Sequence, residues 1–197
     1  MNLKHDKNSV LKIGLSLFCS KGYSNLGVDE ICKMTGMTKG AFYNAFKSKE
    51  QFLSEAIQLY GTNNVQRIKA QLFPSDGCSA FERLQLFYHK MLEIQPKVDF
   101  TGCFINNIMS EMGFLNEMVG RSSKLEYDKF IDAIEPTVLE AQNKGEIDSE
   151  MDSRELIELI HSTFYGVLTI AKSSKDINQG IKTINLLFKN IKTQKNG

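Results

Sequence analysis

Apolar residues recur at helical spacing along almost the whole chain. Over residues 9–20, Val10, Gly14, Leu17 and Phe18 share one face, widened by Leu11 and Leu15. Gly22-Tyr23 ends that helix. Short helices are predicted over 28–34 and from Thr38 to about Phe46, separated by Gly36. After the polar turn Lys47-Ser48-Lys49 comes a long helix striped by Phe52, Leu53, Ala56, Ile57, Tyr60, Ile68 and Leu72, with Pro74 as its stop.

The second half continues in the same way. Ala80, Leu84, Phe87, Tyr88, Met91 and Leu92 mark a helix ending before Pro96, and Phe104, Ile105, Ile108, Met109 and Met112 mark a shorter one. Tyr127, Phe130, Ile131, Ile134, Val138 and Leu139 mark a third, with Pro136 expected to kink or split it and Gly145 to close it. The last two helices are predicted over 152–173 and 176–192. No strand and no internal repeat is legible. The expected fold is all-α with about nine helices. An N-terminal domain over 1–48 is followed by a larger helical domain over 49–197.

The final two helices carry a sharper pattern. Ile177, Ile181, Ile184, Phe188 and Ile191 are spaced 4, 3, 4, 3, and Leu156, Ile160, Phe164, Val167 and Ala171 form a similar stripe. These stripes either pack inward or pair with a second copy in a four-helix interface. Under the second reading, Ile160, Phe164, Val167, Ile177, Ile181, Ile184 and Phe188 are the dimerisation residues.

Composition narrows the class. The chain has 197 residues, 42% hydrophobic and 24% charged, with 14 Gly and only 3 Pro, as expected of an ordered globular protein. The net charge of +1 hides an asymmetry: residues 1–50 hold 8 Lys against 4 acids, and the remainder holds 16 basic against 19 acidic residues. A basic head on an acidic body hints at nucleic acid at one end. No apolar run reaches the roughly 18 residues of a membrane span, and no signal peptide is legible, so the expected location is cytoplasmic. Cys19, Cys32, Cys78 and Cys103 lack metal-ligand spacing, and neither a metal nor a cofactor site is read.

The most specific signal lies at residues 28–52. Two short helices flank a turn with Gly36 at its corner. Small residues Cys32 and Ala41 allow close crossing, and Ile31, Met37, Phe42 and Phe46 fill the space between. In a helix-turn-helix the start of the second helix meets base edges in the major groove. Here those residues are Thr38, Lys39 and Gly40, while Tyr43, Asn44, Lys47 and Lys49 lie where the phosphate backbone runs.

The run Gly40-Ala41-Phe42-Tyr43-Asn44-Ala45-Phe46-Lys47-Ser48-Lys49-Glu50 resembles the signature of TetR-family transcriptional repressors, over about the first quarter of the chain. The stretch from Gln142 to Ile147 fits the same family more weakly. The resemblance implies a homodimer on a palindromic operator, released by an inducer bound in the C-terminal domain. It makes Thr38, Lys39, Tyr43, Asn44 and Lys49 the DNA contacts. One departure is Leu26-Gly27, where the family commonly has a Ser or Thr cap. Another is Cys32, where Ala is usual; it reads as a buried small residue.

Two features mark the effector end. Phe87, Met91, Phe100, Phe104, Met109, Met112, Phe114, Met118, Phe130 and Phe164 could line an adaptable apolar cavity or simply form the core. His161 or His89 could present a polar group there; His5 stands apart. The second feature is Gly102-Cys103-Phe104-Ile105-Asn106-Asn107, with the cysteine at a helix start, where the dipole favours an anion. This run is similar to a TetR subgroup linked to electrophile-detoxification genes, in some of whose members the cysteine senses electrophiles or oxidants. The alternative is that Gly-Cys merely permits tight entry to the helix. Cys78 has only Asp76 beside it, and Cys19 belongs to the first helix. Two further functions fit less well: an enzyme with Cys103 as nucleophile, which no spacing supports, and a nonspecific architectural DNA binder, which the small net charge disfavours.

Overall fold

The computed structural model describes residues 6–73 and 77–193. His5, Pro74 and Asp76 lie outside them. Among the described residues there are nine α-helices and no strand. They are α1 (Lys7–Lys21), α2 (Val28–Thr35), α3 (Lys39–Phe46), α4 (Lys49–Leu72), α5 (Ala80–Glu93), α6 (Phe104–Met112), α7 (Glu117–Asn143), α8 (Ser153–Ser174) and α9 (Asn178–Ile191). Several starts have side-chain caps. Asp6 accepts from Ser9 N, Thr38 from Ala41 N, and Asp152 from Arg154 N and Glu155 N. Ser79 and Glu82 form a capping box on α5. α2 starts at Gly27 with no side-chain cap, which follows from the missing hydroxyl noted above.

The chain divides into two compact units. One takes residues up to Asn63 with Phe104–Tyr127, and the other takes Asn64–Cys103 with Asp128 onward. The start of α4, all of α6 and the start of α7 belong with the N-terminal helices.

The first unit is built on aromatic packing. Phe18, Phe42, Phe46 and Phe52 are all buried, with ring centroids 4.7–5.8 Å apart. Burying each ring contributes about 2 kcal/mol over leaving it exposed. The periodic residues of α1, α3 and α4 therefore face one shared core.

The second unit centres on Tyr88, whose ring meets those of Phe87, His161, Phe164 and Phe188 at 5.1–6.0 Å. Arg154 at the start of α8 pairs with Asp132, Glu135 and Glu158 at 2.5–3.2 Å. The loop after α7 bridges to the end of α9 through Ile147 and Lys192.

α7 is not split: it runs as one helix from Glu117 to Asn143 through Pro136. The proline lies on the exposed side, where water can serve the carbonyl it leaves without a donor. α7 also begins ten residues before its apolar stripe, because its first buried positions include Ser123 and Glu126, which break the hydrophobic signal.

Ile160, Phe164, Val167, Ile184 and Phe188 are buried inside the second unit, and Ile177 and Ile181 are half-buried. Within the unit, the heptad-like stripe packs α9 on α8 and α5. Gly180 permits that approach: a Cβ there would stand 2.4 Å from Val167 Cγ1.

Candidate nucleic-acid interface

The helix pair α2–α3 turns at Gly36, which takes the left-handed conformation at φ 71°. Met37 N donates back to the Cys32 carbonyl at 3.1 Å, which tightens the turn. The inner side holds Ile31, Cys32, Thr35, Phe42 and Phe46. Thr35 hides its hydroxyl by donating to the Ile31 carbonyl at 2.7 Å. Burial pushes the Cys32 thiol up, in keeping with a packing role. Ala41, expected at the crossing, is exposed instead.

The outer side of α3 gathers Thr38, Lys39, Gly40, Tyr43, Asn44 and Lys47, all exposed. The Thr38 hydroxyl caps the helix at 3.2 Å from Ala41 N. A Cβ on Gly40 would meet nothing within 4 Å, so a partner backbone could approach closely here. Tyr43 is 46% exposed and stands edge-on to Phe42 at 5.4 Å, which fixes its ring. Lys47 has φ 62° and donates to the Asn44 carbonyl at 3.0 Å. The face combines hydroxyl, amide, phenol and ammonium groups, the donors that phosphates and base edges accept.

Lys49 is placed otherwise than expected. Its ammonium donates to the Tyr23 carbonyl at 2.7 Å and lies 3.8 Å above the Tyr23 ring. Burial lowers its pKa. It braces the α1–α2 loop and is not displayed with α3. On its other side, Lys39 lies 2.6 Å from Asp29 of α2, and this pairing raises the lysine pKa.

The loop before α2 was not legible as part of the site. Tyr23 N and Ser24 N donate to Glu111 at 3.0 and 2.8 Å, and the Ser24 hydroxyl donates at 2.8 Å. The Tyr23 hydroxyl donates to Glu50. Burial and that bond raise the phenol pKa, and the same bond lowers that of Glu50. Partners 87 and 88 residues apart leave no local pattern to read.

The expected effector residues fall in both units. In the second, Cys103 is half-buried, with its thiol 3.6 Å from the Tyr165 hydroxyl. His161 lies 3.1 Å from the Tyr88 hydroxyl through Nδ1, and burial lowers its pKa to about 3. Phe87, Phe130 and Phe164 are buried, while Met91 is half-buried. In the first unit, Asn106 and Asn107 are half-buried on α6. Phe114 and Met118, grouped above with an apolar cavity, are instead exposed, Phe114 almost completely. Among the described residues, no group of three His, Cys, Asp or Glu could hold a metal ion. No helix there is long and apolar enough to cross a membrane.

Comparison with known proteins bears on the helix pair directly. Residues 10–56 match the family described as bacterial regulatory proteins, tetR family, and residues 80–183 match the tetracyclin repressor-like C-terminal domain. The chain belongs to the TetR family. It is a DNA-binding transcriptional regulator with an N-terminal helix-turn-helix and a C-terminal helical domain.

The transcriptional regulator AcuR of Cereibacter sphaeroides is 30% identical over 83% of this chain and 75% of its own. A solved TetR regulatory protein from Rhodobacter sphaeroides superposes with a TM-score of 0.82 at 27% identity, covering 94% and 98% of the two chains. The repressor NemR of Escherichia coli is 26% identical over 58% of each chain. Its reduced form superposes with a TM-score of 0.84 at 19% identity over 97% and 98%. Family regulators act as dimers on operator DNA and bind small molecules. The TetR N-terminal match takes in α2 and α3 whole and the start of α4, including every residue gathered on the outer side of α3.

Proposed function

We propose that this chain is a cytoplasmic, homodimeric repressor, not an enzyme, that binds a palindromic operator and is released by a small apolar or electrophilic inducer. The observation that carries this reading is the outer side of α3. Thr38, Lys39 and Gly40 stand at the helix start, with Tyr43, Asn44 and Lys47 behind them, over a rigid aromatic core. In this reading the first three meet base edges, and the others hold the phosphates and so set the register. Lys49 acts indirectly, through Tyr23.

The second copy docks on α8 and α9, through the face beside the buried seam. Leu159, Ile170 and Leu186 are exposed on these two helices, and a groove of about 180 Å³ is lined by Gly166 and Ile170 of α8 and Gln179 and Thr183 of α9. Half-sites one turn apart require recognition helices about 34–36 Å apart. An inducer that favours another spacing lowers operator affinity by its differential affinity for the two states. α4, which carries the chain out of the head, is the lever.

A second reading concerns the inducer's chemistry. Cys103 is half-buried, with its thiol beside the Tyr165 hydroxyl, and a thiol is the group that a small electrophile would modify. NemR was captured in a form described as reduced. The test is anisotropy on the protein's upstream intergenic duplex, with and without N-ethylmaleimide, for wild type and Cys103→Ser. Release of wild type alone assigns induction to the thiol. Retention of both means that Cys103 is structural and the inducer noncovalent. Equal competition by random duplex would overturn the operator reading itself.

A further inference from the structure

We propose that Glu111 is a positioning residue for operator binding: it ties the α1–α2 loop to α6, so that the orientation of the helix-turn-helix is set from α6. The inference rests on the dimeric operator reading above. Both oxygens of one carboxylate are used. Oε2 accepts from Tyr23 N at 3.0 Å, and Oε1 from Ser24 N and Oγ, each at 2.8 Å. Gly22 holds φ +75°, and a Cβ there would come within 3.2 Å of Oε2. The loop therefore fits the carboxylate closely, and a larger residue at 22 would press on it.

Glu111 stands in the last turn of α6, where the negative end of the helix dipole opposes a carboxylate. Burial also pushes its pKa up. The donors from Tyr23 and Ser24 outweigh burial, and its pKa is lowered. Such a group is electrostatically costly without its partners and strongly held with them.

The loop is gripped from a second side as well. Lys49 of α4 donates to the Tyr23 carbonyl, and Glu50 accepts from the Tyr23 hydroxyl. α6 itself is anchored. Its Phe104 ring meets Tyr60 of α4 at 5.3 Å, and Ile105, Ile108 and Met112 are buried. α6 is thus a stiff bar of nine residues, about 13 Å long. It starts immediately after Cys103 and ends on the loop that leads into α2. A displacement of α6 would be passed to the loop through Glu111. Local packing alone would not require this charge-assisted link.

The test uses the operator that the full-length wild-type protein selects from a random-sequence duplex pool, together with the same half-sites moved apart by one and two base pairs. Glu111→Ala, Glu111→Gln and wild type are compared by anisotropy, with amide exchange followed at Tyr23 and Ser24. The wild type should discriminate strongly between spacings. Glu111→Ala should lose roughly tenfold in that discrimination, with faster exchange at both amides. Glu111→Gln, which keeps the shape without the charge, should fall between and decides the matter if the alanine variant does not fold. A merely structural role would weaken binding equally at every spacing, and that result would overturn the proposal. A wild type indifferent to spacing would contradict the dimeric reading and the proposal with it. Unchanged discrimination in the variants would contradict the proposal alone.

Discussion

Lys39 Nζ at the start of α3 lies 2.6 Å from the Asp29 carboxylate at the start of α2. Both side chains are mostly exposed, so the pair adds little to stability. Its consequence is for binding: DNA must compete with Asp29 for the ammonium. Asp29→Asn should therefore strengthen binding to nonspecific duplex and narrow the preference for the operator. Lys39→Ala should weaken binding and lower the slope of log K against log salt by about 1. Anisotropy titrations across a salt series check both.

Gly40 separates stability from binding. A Cβ there meets nothing within 4 Å in the free protein. Gly40→Ala should raise the head's stability by about 0.5 kcal/mol, since glycine is a poor helix residue. It should also weaken operator binding by on the order of tenfold, because the methyl would stand between α3 and the groove. Thermal melts and operator titrations should move in opposite directions.

His161 makes the second unit acid-sensitive. Burial lowers its folded pKa to about 3, against about 6.5 in an unfolded chain. Between those values the unfolded state binds a proton that the folded state does not. Stability is therefore full above pH 6.5 and falls as pH drops towards 3, with a limiting slope of about 1.4 kcal/mol per pH unit. His161→Gln keeps a partner for the Tyr88 hydroxyl and does not titrate. Its melting temperature should fall less between pH 7 and 4.5 than that of wild type.

The α8–α9 surface gives a contrast between neighbours. Ile170 and Leu186 are exposed, whereas Ile184 is fully buried. Ile170→Glu and Leu186→Glu should yield folded monomers by sedimentation velocity and circular dichroism. Ile184→Glu should instead unfold the domain, because it buries an unpaired charge.

The helical fold was legible because stripes such as Phe52, Leu53, Ala56 and Ile57 keep one period and one buried side. The outer side of α3 was legible because its residues lie within ten positions of one another. What escaped was long-range or polar. Glu111 reaches Ser24 across 87 residues. Ser123 and Glu126 hide the start of α7 because buried polar groups carry no hydrophobic period. The α9 stripe was ambiguous in principle, since a seam inside one chain and a seam between two chains share the same spacing.

One titration decides whether the start of α3 reads an operator. Wild type and Thr38→Ala/Lys39→Ala would be bound to the selected operator and to random duplex of equal length, at physiological salt. Wild type should prefer the operator by about a thousandfold or more, and the double variant should lose most of that preference while remaining folded. Equal affinity of wild type for both duplexes, or an unchanged preference in the variant, would contradict that reading.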